Sequence, residues 1–210
     1  MSAPLASRRV ANLAPLLDPS HADWERHAAT RIALAPTPLG LQPTPYVRNT
    51  WKDRPYGALL ALDVASVHDG RGWALRASWD GVSAPGDFPD ALAIALPLAG
   101  RPVLATMGSA EAPIHYLRWR ADREAVSSQV AHGIGSSAAG PPIAAHAAAR
   151  AAGTRWQLVV SRPLGAPHGA AALQAGASTQ IGFAVWCGGN DERAGIKAFS
   201  IDWLELALDA

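Results

Sequence analysis

A rhythm constrains this chain more than any single motif: from Tyr56 onward, apolar runs of strand length alternate with turn-forming residues. Ala58 to Val67 closes at His68-Asp69-Gly70, and Trp73 to Trp79 closes at Asp80-Gly81. Asp-Gly pairs supply the positive φ that tight hairpin turns need. Ala91 to Leu98 is a nearly continuous apolar run ended by Gly100 and Pro102, and Ile114 to Trp119 mixes apolar and basic residues. Further runs follow at Arg155 to Ser161, Thr179 to Trp186 and Phe199 to Leu208. No internal repeat and no strand–helix–strand crossover rhythm is present. The expectation is an all-β fold with minor helix, a two-sheet antiparallel β-sandwich.

Two stretches break the rhythm. Residues 1–54 read as an N-terminal arm packed on the domain, with residues 55–210 forming the β-sandwich itself. Within the arm, Ala22 to Arg31 suggests a short helix capped by Ser20 or Asp23. Pro36, Pro38, Pro43 and Pro45 then force extended chain, compatible at most with edge-strand pairing. Gly133 to Gly153 is the second break, and its alanine-rich part, Ala144 to Ala152, suggests another short helix.

The length of 210 residues suits one domain, and 49% hydrophobic residues suffice for a substantial core. Charged residues are only 17%, below the usual quarter, so much of the surface is small or apolar, as either a face covered by partners or the alanine-rich composition of a GC-rich genome would give. A net charge of +1 and a longest basic cluster of Arg8-Arg9 argue against nucleic acid. No apolar run reaches the length of a membrane span. No signal peptide is read in Met1 to Leu17, where Asn12, Pro15 and Asp18 interrupt any apolar segment. Cys187 is the only cysteine. It excludes an internal disulfide, a cluster held by this chain alone and a covalent c-type haem.

Two residue types are used sparingly. Beyond Met1 the sole methionine is Met107, and of eighteen lysines and arginines only Lys52 and Lys197 are lysine. Guanidinium is effectively never deprotonated, whereas an amine can offer a lone pair, so Lys197 is a candidate ligand or base. Taken alone, it reads first as a solvated lysine beginning a strand, and Met107 reads first as a filler of core gaps, so neither residue decides anything by itself. The seven histidines have no metal-binding spacing. No nucleophile elbow, phosphate-cradling loop or acid/base carboxylate pair is found, so no catalytic set is expected. Eight tryptophans suit core pillars, a sugar-stacking platform or the walls of a flat cofactor pocket. Trp186 and Trp203 flank the Lys197 loop, and Trp119 follows Met107 by one strand. These three are the candidates for a pocket.

The segment Ile181 to Ser200, IGFAVWCGGNDERAGIKAFS, resembles the signature of the haem b subunits of complex molybdenum enzymes. These are the γ subunits of ethylbenzene dehydrogenase, dimethylsulfide dehydrogenase, chlorate reductase and selenate reductase. Ala105 to Asp122, ATMGSAEAPIHYLRWRAD, is similar to that family's Met-Gly loop and following strand. LDVASVHDG from Leu62 and ALRASW from Ala74 fit its early strands. The likeness spans roughly residues 55 to 208. It looks strongest toward the ethylbenzene dehydrogenase γ subunit, through LQAGAS from Leu173 and the FAVW run. Departures fall at Ile196, Arg120 and Cys187.

The resemblance implies one non-covalent haem b whose axial ligands map onto Met107 and Lys197, with His115 the fallback nitrogen. It implies an electron-transfer subunit that performs no substrate chemistry. Its partners would be a molybdenum-cofactor catalytic α subunit and an iron–sulfur β subunit, with an external acceptor such as a cytochrome c. The expected location is the periplasm, reached by export with a partner subunit, the cytoplasm being the alternative. A carbohydrate-binding β-sandwich module is the rival reading. It would keep the tryptophans but has no reason for Met107 and Lys197.

Overall fold

The computed structural model describes residues 4–84 and 86–210. In chain order the strands are β1 (Leu5–Arg9), β2 (Thr30–Ala33), β3 (Ala35–Pro36), β4 (Ala61–His68), β5 (Gly72–Asp80), β6 (Ala91–Pro97) and β7 (Ile114–Arg120). They continue as β8 (Ser127–Ala131), β9 (Ala138–Ala139), β10 (His146–Ala152), β11 (Arg155–Pro163), β12 (Ser178–Trp186), β13 (Ala198–Phe199) and β14 (Leu204–Leu208). Among the described residues one α-helix occurs, α1 (Pro45–Trp51), beside a few 3-10 turns. The all-β class with minor helix holds.

The sandwich is built from one continuous sheet rather than two separate ones. Its strands run β10-β11-β5-β4-β1-β14-β12-β6-β7-β8-β9. β12 belongs to both layers: Ser178 to Ile181 pair with β14, and Gly182 to Trp186 pair with β6. A strand shared in this way turns a corner between packed layers. Nor is the pairing wholly antiparallel, because β1 runs parallel to both of its neighbours, β14 and β4. The N-terminal arm is therefore woven into the first layer. Ser66 Oγ donates to Ser7 Oγ at 2.9 Å inside that junction, and Trp73 Nε1 donates to Ser66 Oγ at 2.8 Å.

Period-2 alternation sorts the side chains into three apolar zones. Between the layers lie Leu62 and Val64 of β4, Leu75 and Trp79 of β5, Leu92 and Ile94 of β6, Leu117 and Trp119 of β7, and Phe183 and Val185 of β12. Trp119 meets Trp79 edge-on at 6.1 Å and Trp156 at 5.2 Å, locking β7 against β5 and β11. The outer face of the first layer is covered by the arm, where Leu13, Leu16 and Trp24 pack on Ala65, Val67 and Val159. The outer face of the second layer carries the site described below.

Two local expectations fail for one reason. Residues 22–31 form only a 3-10 turn, Ala22–Arg26, capped by His21, before the chain enters β2. Ala144 to Ala152 is not helical but supplies edge strand β10, paired with β11 across the tight turn at Gly153. Alanine favours helix only when no sheet edge competes, and here tertiary pairing overrides the propensity. The helix that does form, α1, follows Thr44, whose side chain accepts from the Val47 N–H, with Pro45 at its first position.

Candidate functional site

A cavity of about 380 Å³, in the size range of cofactor and small-ligand pockets, opens on the outer face of the second layer. Its floor comes from the strand residues that alternate away from the core. Ala93 and Ala95 of β6 and Ala184 of β12 all line it. Three alanines on neighbouring strands leave the sheet surface low and flat. Walls rise from Tyr116 and Arg118 of β7, Trp186 of β12 and Phe199 of β13. The far side is closed by the N-terminal arm, through Gln42, Val47 and Trp51.

Met107 and Lys197 both line this cavity, though 90 positions separate them in the chain. Each arrives on a loop held under local constraint. Met107 has φ of 60°, and its backbone is fixed by Met107 N–H to Leu104 O at 3.0 Å and Gly133 N–H to Met107 O at 3.0 Å. The next residue must be glycine: Gly108 has φ of 79°, and a Cβ there would stand 2.5 Å from Ala112 O. Trp203 Nε1 donates to Pro102 O at 2.7 Å, which pins the start of the same loop.

The Lys197 loop is tied down by a buried carboxylate. Glu192 accepts from Gly57 N–H at 2.7 Å, Cys187 N–H at 3.0 Å and Asn190 Nδ2 at 3.2 Å. Thr37 of the arm donates its N–H to Lys197 O at 3.0 Å. Among the described residues the non-glycine residues with left-handed backbone are Met107, Asp191 and Ala194, all on these two loops. Such strain, of order 1 kcal/mol each, clusters where surrounding structure holds a functional geometry. Glu192→Gln should cost about 1–2 kcal/mol, because an amide offers only one oxygen to the two backbone donors. Urea unfolding checks this, and an unchanged midpoint would remove Glu192 as the loop's anchor.

Lys197 is buried, 9% exposed, and among the described residues its Nζ donates only to Ala194 O, at a long 3.3 Å. It stands 5.5 Å from the centroid of Trp186, whose Nε1 donates to the same carbonyl at 3.1 Å. Burial, reinforced by the Arg118 guanidinium, pushes its amine down to about 8. A proton is therefore far easier to remove here than from an ordinary solvated lysine. Burial also pushes the Tyr116 phenol well above its ordinary range, so it stays neutral.

The three candidate tryptophans part company. Trp186 lines the cavity. Trp203 stands outside the lining and acts through Pro102, on the loop that carries Met107. Trp119 does not reach the cavity at all; its neighbour Arg118 does, because adjacent strand residues point to opposite faces. His115 shares that inward face. Its Nε2 meets Ser128 Oγ at 3.0 Å and its Nδ1 accepts from Ala171 N–H at 3.4 Å. Burial pushes its pKa down to about 4, so it is a neutral, fully engaged core histidine with no nitrogen left for a ligand. Sequence reasoning passed over Tyr116 and Arg118, which strand parity in β7 could have supplied, and the arm residues, which no local signal marks.

No protein-family model matches the chain. It is 36% identical over 122 residues to the chlorate reductase subunit gamma of Ideonella dechloratans, a match covering 57% of this chain and 50% of that protein. It is 29% identical over 194 residues to a Haloferax mediterranei protein provisionally named a respiratory nitrate reductase heme subunit, covering 88% of this chain and 66% of the relative. The chain thus spans between half and two thirds of the length of these relatives. Among solved structures it is similar to a Bacteroides uniformis protein provisionally described as carbohydrate-binding, with a TM-score of 0.59 at 13% identity over the whole of both chains. A family 9 carbohydrate-binding module of Caldicellulosiruptor kristjanssonii gives 0.56 at 8% identity, over 98% of this chain and 95% of that one. At such identities these structures speak to the fold alone.

Proposed function

We propose that this chain is an electron-transfer subunit that holds one non-covalent haem b between Met107 and Lys197. The proposal is carried by the convergence of the two on one largely apolar cavity, with Lys197 buried and in no ion pair among the described residues. The donor set fits the group. A thioether sulfur is a soft ligand that favours the reduced metal, and a lysine amine binds once it has lost its proton. Two relatives named a reductase gamma subunit and a heme subunit support the same reading. A sugar-binding module, by contrast, has no use for a buried amine without a counter-charge.

When bound, the haem would supply a reversible one-electron couple. The protein's own part would be to present the Met107 sulfur from one loop and the Lys197 nitrogen from the other, which suits electron transfer rather than substrate chemistry. The alanine floor admits a flat ligand, and the aromatic walls with the arm keep water away from it. Lys197 gives up its proton readily because burial and Arg118 both disfavour its charge.

The subunit would work beside a molybdenum catalytic α subunit and an iron–sulfur β subunit, in a complex of the ethylbenzene dehydrogenase kind. An external carrier such as a cytochrome c would be its acceptor, and the periplasm its location. Exposed apolar side chains near the mouth support a docking face: Ile134 lines the cavity, Val103 stands on the Met107 loop and Tyr46 on α1. Among the described residues no helix is long and apolar enough to cross a membrane.

The purified chain should be red, with a Soret band and sharp visible bands on reduction, and acidified acetone should extract the haem. Met107→Ala should shift the ferric spectrum away from the low-spin form, whereas Lys52→Ala should leave it unchanged. A colourless protein that takes up no added haemin would overturn the proposal.

A further inference from the structure

The charge of the cavity is not answered by its own walls. Arg118, Arg193 and Lys197 line it, and no aspartate or glutamate does among the described residues. A pocket with several cations and no carboxylate is complementary to an occupant that brings negative charge. Arg193 is at the exposed rim, stacked 4.4 Å from the Phe88 ring centroid and donating to Asp191 O at 3.0 Å. Arg118 differs, because it is inside and largely unpartnered.

The Arg118 guanidinium lies 4.8 Å from the Trp186 ring centroid, and its Nε is buried with no acceptor. Among the described residues no ion pair reaches it; Asp122, two positions past its strand, is bound by Arg120 at 2.7 Å. Its backbone is held on both sides, by Ala93 of β6 and Ser127 of β8, so the side chain starts from a rigid base. A half-buried guanidinium with its Nε enclosed and no anion beside it is under-satisfied, and its planar fork suits a carboxylate bound through two parallel hydrogen bonds. It also approaches the same tryptophan ring as Lys197, so an anion seated on it would sit beside the amine.

We infer that Arg118 is the anchor for a carboxylate of the cavity's occupant, and that with haem b this carboxylate is a propionate. The identity of the ligand rests on the haem reading; the demand for an anion rests on the lining alone. Arg118 would then choose which edge of the porphyrin faces it, a choice that Met107 and Lys197 leave open.

The test uses haem-free full chain, titrated with haemin and with haemin dimethyl ester, which keeps the porphyrin and iron but has no free carboxylates. The parent protein should bind haemin about tenfold or more tightly than the diester. Arg118→Gln should erase that preference, bringing the haemin and diester affinities within about twofold of each other, and Arg118→Lys should keep part of it. Circular dichroism establishes that the variants fold. A parent with no preference between the two porphyrins overturns the inference without any variant. A preference that survives in Arg118→Gln overturns it too, with haem binding intact. If the parent takes up neither porphyrin, the haem reading itself falls and this inference falls with it.

Discussion

Lys197→Met should stabilise the haem-free protein by roughly 2–3 kcal/mol at pH 7 and, by removing the nitrogen donor of the proposed haem site, shift the ferric spectrum. Both effects come from one feature, an amine buried with a single long hydrogen bond. In the unfolded chain this lysine titrates at its ordinary value near 10.5, and in the folded chain at about 8. The unfolded state therefore holds its proton more tightly, and folding with the charge in place costs about 1.4 kcal/mol per unit of difference. Below pH 8 both states are protonated and the penalty is fully present. Between pH 8 and 10.5 only the unfolded state holds the proton, so stability rises with pH; above 10.5 the penalty is gone. Methionine has nearly the same length and volume and no charge, so it removes the penalty without leaving a cavity. The gain over the parent should shrink as urea unfolding is repeated from pH 7 toward pH 10. A haem-free parent as stable as the variant at pH 7 would show that the folded protein does not resist the charge. Lys197→Arg, a permanent cation, should lose the ferric spectrum without gaining this stability.

That a stabilising change is so close at hand is a mark of a site kept for function rather than for folding. The strained backbone at Met107 and Ala194 belongs to the same pattern. Among the described residues, left-handed backbone at non-glycine positions is confined to these two loops.

The strands were legible where turn chemistry bounded them. β4, β5, β6, β7, β11 and β12 all lie within a few residues of the runs that Asp-Gly, Gly and Pro delimit. The strands that escaped are those defined by partners. β1 has no alternation of its own to announce it and forms because β4 and β14 offer two free edges. β10 is alanine from end to end but for His146 and Arg150, and its pairing with β11 outweighs its composition. The expected run from Phe199 to Leu208 is in fact two strands, since Ala198–Phe199 pairs with β12 in the second layer and Leu204–Leu208 with β12 and β1 in the first.

The site was legible in its rarest residues and illegible in its walls. Met107 and Lys197 stood out because each type is almost unused elsewhere in the chain. Alanines 93, 95 and 184 did not, because a small residue in a strand carries no signal until its neighbours show which face is open. Arm residues such as Gln42 are brought in by long-range hydrogen bonds, Gln42 Nε2 to Gly195 O at 3.0 Å among them. No local pattern encodes such a contact.

Trp119 and Trp186 both read as pocket candidates in the sequence, and their replacement by alanine should have opposite consequences. Trp119 is 3% exposed and wedged between Trp79 and Trp156, so Trp119→Ala leaves a large hole at the centre of the sandwich. Deletions of this kind cost about 3–5 kcal/mol, and the loss of two edge-on aromatic contacts pushes toward the upper end. The Met107 and Lys197 loops do not rest on this ring, so the folded fraction should keep the parent's haem spectrum. Trp186 lies on the other side of the sheet, against Arg118 and Lys197, with its Nε1 bonded to Ala194 O. Trp186→Ala should unfold at a smaller cost, near 2–3 kcal/mol, because the hole opens into an existing cavity and neighbours can relax. Its haem affinity should fall and its ferric spectrum shift, since both cations lose the ring that positions them. Thermal unfolding paired with haemin titration separates the two variants. If Trp119→Ala disturbed the spectrum as strongly as Trp186→Ala at matched folded fraction, the division of β7 and β12 into a core face and a cofactor face would be wrong.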